Sequence, residues 1–115
     1  MAGNNVWIKS GTVRNMYPEP GRLTTGAGAW LYKDSPETTF QAIVSGTGAV
    51  TATVTIEVSN DGINAGTTVM GTITLNGTTV TADGFTSTSA PWKYVRANVT
   101  AVTGTGATVQ VYFGV

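Results

Sequence analysis

The stretch Ala49-Val50-Thr51-Ala52-Thr53-Val54-Thr55-Ile56-Glu57-Val58 decides the fold. Its even positions are apolar (Val50, Ala52, Val54, Ile56, Val58), and Thr51, Thr53, Thr55 and Glu57 alternate with them. A period of two places the two sets on opposite faces of a pleated strand, one toward a core and one outward. Threonine suits the outward face, because its branched Cβ fits the pleat while its hydroxyl stays hydrated. The habit extends along the chain: 22 of the 115 residues are Thr, mostly interleaved with Val, Ile and Ala.

Working outward, Phe40, Ala42 and Val44 alternate in the same way and run into Ser45-Gly46-Thr47-Gly48, which reads as a turn. Ser59-Asn60-Asp61-Gly62 closes the deciding strand, since Asp-Gly supplies the positive φ of a tight turn. Val69, Ile73 and Leu75 share the next face, with Gly71 in an inward slot that suggests a bulge or close packing. Asn76-Gly77 reads as a hairpin and Asp83-Gly84 as a break. Two further strands follow: in the first, over 93–102, Val95, Ala97, Val99 and Ala101 share the apolar face, and in the second, over 108–115, Val109, Val111, Phe113 and Val115 do. A Gly-Thr-Gly-Ala turn introduces a strand twice, at 46–49 and at 104–107, which is turn chemistry used twice rather than a repeat architecture.

Residues 1–37 break this rhythm. Val6-Trp7-Ile8-Lys9 and Ala29-Trp30-Leu31-Tyr32 read as short strands, but Tyr17-Pro18-Glu19-Pro20-Gly21 between them cannot sustain a ladder, because proline has no donor. The expectation is an all-β single domain. A β-sandwich core over 38–115, jelly-roll-like or immunoglobulin-like with seven or so short strands, carries an extended N-terminal arm over 1–37 with one or two strands.

Only 10% of residues are charged, against roughly 25% in an average soluble domain, and six basic residues balance six acidic ones. So weakly charged a chain has little electrostatic protection against self-association, which favours an assembled state and a homo-oligomer. Scattered Lys and Arg argue against nucleic-acid binding. No apolar run approaches the length of a membrane helix, and the N-terminus lacks the charged and apolar regions of a signal peptide, so synthesis in a cytoplasm without export is expected.

Chemistry is equally sparse. The chain has neither His nor Cys, which removes most nucleophilic triads, zinc sites and thiol redox. Asp61 and Asp83 could be read as a carboxylate pair, but each precedes Gly in a turn, where Asp is favoured for its local hydrogen bonds. Asn60, Asp61 and Asn64 offer oxygen ligands to a cation such as calcium without matching the EF-hand spacing. Neither Gly26-Ala27-Gly28 nor Gly46-Thr47-Gly48 has the lysine of a phosphate loop. No enzyme, cofactor or metal is therefore expected. The aromatics Trp7, Trp30, Tyr32, Trp92 and Tyr94 suit a sugar platform, a core end or a protein interface. Trp92, after a proline at a strand start, fits a core end, whereas Trp7 and Trp30 in the irregular segment fit an interface.

The order Ser59-Asn60-Asp61-Gly62, Gly71-Thr72-Ile73-Thr74-Leu75-Asn76-Gly77-Thr78, Asp83-Gly84-Phe85, Ala90-Pro91-Trp92-Lys93-Tyr94-Val95-Arg96 and Gly104-Thr105-Gly106-Ala107 resembles small β-sandwich virion structural proteins of tailed bacteriophages. The resemblance covers about residues 38–115 and is to the capsid decoration or cementing type. It implies a non-enzymatic protein on the outer capsid surface of the virion, made in the host cytoplasm, that binds the major capsid protein and stabilises the shell by mass action. Partner contacts are expected from the arm, through Trp7, Ile8, Arg14, Tyr17, Pro18, Pro20, Arg22 and Trp30, and from Arg96 on an exposed strand face. The alternatives are a tail or head-fibre component, or a carbohydrate-binding module for host glycans using Trp30, Tyr32 or Trp92.

Overall fold

The computed structural model describes residues 13–17, 23–33, 37–87 and 91–114. These residues are all-β, with no helix among them. Three short strands, β1 (Val13–Asn15), β2 (Gly26–Ala27) and β3 (Leu31–Tyr32), precede three long ones: β4 (Thr38–Ser59), β5 (Val69–Ser87) and β6 (Tyr94–Gly114). All belong to one antiparallel sheet with β4 central, β5 on one side, β6 on the other, and β1, β2 and β3 along the far edge of β6.

The deciding stretch is the second half of β4, with Val50, Ala52, Val54, Ile56 and Val58 buried as the alternation requires. The expected turns behave differently. Ser45–Gly48 lies inside β4, Asn76-Gly77 and Asp83-Gly84 lie inside β5, and Thr103–Gly106 lies inside β6. Gly77 pairs with Val50, and Asp83 with Ala42, so the ladder runs through both dipeptides. The expectation of seven or so short strands is thus corrected to three short strands and three long ones with irregular midpoints among the described residues. Between the pairs Ser45–Val80 and Ala49–Thr78, β4 has three residues (46, 47, 48) where β5 has one (79). Extra residues on one strand bend it without ending the pairing. Gly48 at φ 73°, Gly106 at φ 64° and Gly104 at φ 127° supply the left-handed conformations that this bend needs.

The bend decides the packing. A straight strand of 22 residues would be roughly 70 Å long, yet the longest dimension of the molecule is 38 Å. The six residues between Ser87 and Tyr94 can span only about 25 Å, although Ser87 pairs with Thr38 at one end of β4 and Tyr94 with Ser59 at the other. Both ends of β4 must therefore lie close together, with the sheet folded over its glycine-rich middle. Contacts between the halves agree: the Thr38 hydroxyl donates to Met70 Sδ at 3.9 Å, and a Cβ at Gly71 would meet the Phe85 ring of the same strand at 2.5 Å. The two layers thus come from one bent sheet.

Between the layers lies the core: Phe40, Ala42 and Val44 from one half of β4, Val50 to Val58 from the other, Ile73 and Leu75 from β5, and Val95, Ala97, Val99, Val109, Val111 and Phe113 from β6. Each Val, Leu, Ile or Phe side chain among them, fully buried, contributes about 1.5–3 kcal/mol. Phe40 stacks on Phe113 at 5.5 Å between centroids and lies 5.3 Å from Phe85, filling one end. Segment 13–17 closes the flank. β1 pairs with the end of β6, Met16 N–H donates to Val111 O at 2.7 Å, and the Tyr17 side chain reaches the opposite half of β6.

Candidate interaction surface

The outward face of the sheet alternates with that core. Near the Ser59 end of β4, register places Glu57 opposite Arg96, Ser59 opposite Tyr94, and Tyr32 of β3 on the other side of Tyr94. Arg96 donates through Nε to Glu57 Oε1 at 2.6 Å, and Asn98 donates through Nδ2 to Glu57 Oε2 at 2.9 Å. The Arg96 guanidinium carbon lies 4.4 Å from the ring centroid of Trp30, a cation–π distance. Trp30 immediately precedes β3, whose pairing with β6 carries it to this position. Burial alone would raise the Glu57 pKa, but the hydrogen bonds from Asn98 and Arg96 and the charge of Arg96 outweigh it and hold the carboxyl below its ordinary value.

The aromatic surface continues from there. Tyr32 and Tyr94 meet edge to face at 5.6 Å, and Tyr32 is 61% exposed. A Cβ at Gly62 would lie 3.3 Å from the Tyr94 ring, so the loop between β4 and β5 packs its backbone against that tyrosine. Asp61 organises this loop. Its Oδ1 accepts the N–H groups of Ile63 at 2.8 Å and Asn64 at 2.9 Å and the hydroxyl of Ser59 at 2.7 Å, and its Oδ2 accepts the Asn64 amide at 3.0 Å. These donors, led by the Asn64 and Ser59 groups, hold its carboxyl well below the usual carboxylate range. Ile63 stands at the tip, 75% exposed. A large apolar side chain on a backbone fixed by four hydrogen bonds loses little conformational entropy when a partner covers it.

Of the residues expected to contact partners, this surface unites Trp30 and Arg96. Trp7, Ile8, Pro18, Pro20 and Arg22 lie outside the described residues. Arg14 is the middle residue of β1, paired with Phe113. The expectation for Tyr17 is corrected: it is 3% exposed, and its hydroxyl is engaged inside the chain, so it belongs to the core. Trp92 is half-buried against the core, as its place after Pro91 suggested. Of the residues in the cation reading of 60–64, Asp61 accepts the N–H groups of Ile63 and Asn64 and the Asn64 amide, and Asn60 Oδ1 accepts Lys93 N–H at 3.1 Å. Asp83 accepts the N–H of the adjacent Gly84, the local role expected for Asp before Gly.

Sequence reasoning did not assign Glu57, Asn98 or Ile63 to a site. Glu57 and Asn98 show themselves only through cross-strand register, and Ile63 only through its stand-alone position in a polar loop. Lys33 was also missed: it is 2% exposed beside Lys93, and burial, then that neighbouring charge, lowers its pKa. Among the described residues, no helix is long and apolar enough to cross a membrane. Comparison with known proteins finds no matching family model, no similar curated protein and no similar solved structure.

Proposed function

We propose that this chain is a non-enzymatic structural protein of a tailed-phage virion, of the capsid decoration type, and that it binds the major capsid protein through the surface built on Trp30, Tyr32, Tyr94, Arg96 and Ile63. The carrying observation is the Trp30–Arg96–Glu57 constellation beside the Asp61-braced loop. Trp, Tyr and Arg are the residue types that dominate protein–protein binding energy, and they do so best when held rigidly before the partner arrives. Here Tyr32, Tyr94 and Arg96 stand on strands, Ile63 on the braced loop, and Trp30 directly before β3 against the Arg96 guanidinium. The phage assignment is supported by the resemblance over residues 38–115, and a low-charge chain suits a packed shell.

Co-sedimentation with capsids that lack the protein tests this reading. Stoichiometric binding of the wild type, weakened at least about tenfold by Trp30→Ala or Ile63→Asp, is the expected result. Binding unchanged by both substitutions would remove this surface from the proposal, and absence of binding by the wild type would remove the capsid.

A second reading is favoured by the exposed Tyr32 ring standing edge to face with Tyr94. Such a ledge can stack a pyranose ring of a host glycan. Glycan-array binding lost in Tyr32→Ala, with no capsid binding, would select it.

A further inference from the structure

We infer that the outer edge of β5 is a self-association surface, at which two copies of this chain join their sheets antiparallel about a two-fold axis near Ile73. Among the described residues β5 pairs with β4 alone, and none of them covers the backbone N–H and C=O groups of its other edge. Proteins usually blunt such an edge with lysine, proline, inward-pointing charge or a short strand. From Val69 to Ala82, the first fourteen of its nineteen residues, β5 contains no charged residue and no proline. The ladder from Gly71 to Thr78 is regular against β4; it is flanked by a register shift at Met70, between the pairs Glu57–Val69 and Ile56–Gly71, and by the irregularity at Thr79 with φ 69°.

The occupant that this edge fits is its own copy. Antiparallel pairing about Ile73 sets Thr72 of one copy opposite Thr74 of the other, twice. Thr–Thr is the cross-strand pair that β4 and β5 already form at Thr53–Thr74 and Thr55–Thr72, and such pairs are favourable on a sheet face. Thr72, Thr74 and Asn76 are exposed, so the new pairs would form on the outward face, while Ile73 and Leu75 already point to the core. The formal net charge is zero, so two copies meet without long-range repulsion. An isologous contact of this kind uses one edge on both subunits and closes as a dimer instead of propagating. It is separate from the Trp30–Arg96 surface and independent of what that surface binds.

Light scattering over a range of protein concentrations tests the inference. The wild type is expected to dimerise reversibly. The double variant Thr72→Lys/Thr74→Lys, which opposes like charges across the two-fold, is expected to raise the dissociation constant about tenfold or more while leaving the β circular-dichroism spectrum unchanged. Ile63→Asp, on the other surface, leaves the dimer intact. A wild type monomeric at every concentration, or a dimer indifferent to the two lysines, overturns the inference. If the lysine variant does not fold, hydrogen exchange of the wild type decides. Protection of amides 69–77 that rises with concentration supports the edge contact, and protection independent of concentration overturns it.

Discussion

The hydroxyl of Tyr17 lies 3.0 Å from the carbonyl of Ala97 and 3.2 Å from the N–H of Val99, joining the segment after β1 to residues of β6 that lie 80 and 82 positions downstream. It accepts from Val99, and its own proton is shared between the carbonyls of Ala97 and Gly26, the latter at 2.9 Å. Met16 meanwhile pairs with Val111, so adjacent residues of one segment grip the two folded halves of β6. Tyr17→Phe keeps the ring and leaves the buried Val99 N–H without this acceptor. An unsatisfied buried donor costs about 1–3 kcal/mol, and denaturant unfolding should show a loss of that size with an unchanged m-value.

The folding of β5 onto itself makes a second prediction. A Cβ at Gly71 would fall 2.5–2.8 Å from three atoms of the Phe85 ring, closer than packing allows. Gly71→Ala should therefore destabilise the protein by about 1–3 kcal/mol, as overpacking does. In a Phe85→Leu background the same substitution should cost markedly less, because the ring that blocks it is gone. A double-mutant cycle by thermal or urea unfolding measures that coupling. Additive effects would mean that the two positions are not in contact.

How much of this was legible beforehand depends on the kind of information each residue carries. Alternation over 49–58 and 95–99 identified the core faces, since period two is a local property: Val54 and Val99 are buried for the reason their sequence gives, whereas Ala101, expected on the same face, is exposed because the β4–β6 register shifts between Val99 and Ala101. The glycine dipeptides misled because Asn76-Gly77 and Thr103–Gly106 allow a left-handed backbone without dictating whether the chain reverses or merely bends. That choice depends on whether a neighbouring strand continues the ladder, a long-range fact. Tyr17 was misplaced by its prolines: the break in ladder pairing was right, but a broken segment can still bury a ring. The site was half visible. Arg96 and Trp30 were singled out on residue type, while Glu57 and Asn98 join them only through register across β4 and β6.

Arg96 should tolerate no substitution by lysine at the interaction surface. Its planar guanidinium faces Trp30 and reaches Glu57 at the same time, which an ammonium cannot reproduce. The pair is partly exposed, with side-chain accessibilities of 26% and 17%, so the stability loss in Arg96→Lys should stay within about 1 kcal/mol. The local consequence should be larger. Release of Trp30 from its cation should raise its accessibility to a fluorescence quencher such as acrylamide, measured in a variant with Trp7 and Trp92 replaced by phenylalanine. A quenching constant identical to that of the parent would show that the stack does not hold the indole.

The Asp61 loop carries a pH signature whose sign follows from its hydrogen bonds. In the folded chain its carboxyl titrates well below the ordinary value of about 3.9, because the Asn64, Ser59 and Ile63 donors favour the charged form. A depressed folded pKa means that the unfolded chain takes up the proton first as pH falls. The stabilisation is therefore complete above the unfolded value and declines once pH drops below it. Asp61→Ala should lower the Tm by a constant amount from pH 7 down to about pH 5, and the gap to wild type should narrow from roughly pH 4 downward. The same substitution should free the backbone at Ile63 and Asn64, whose amides should exchange faster at neutral pH than in the wild type. A Tm difference that does not change with pH, together with unaltered exchange at these two amides, would show that the carboxylate does not brace the loop that presents Ile63.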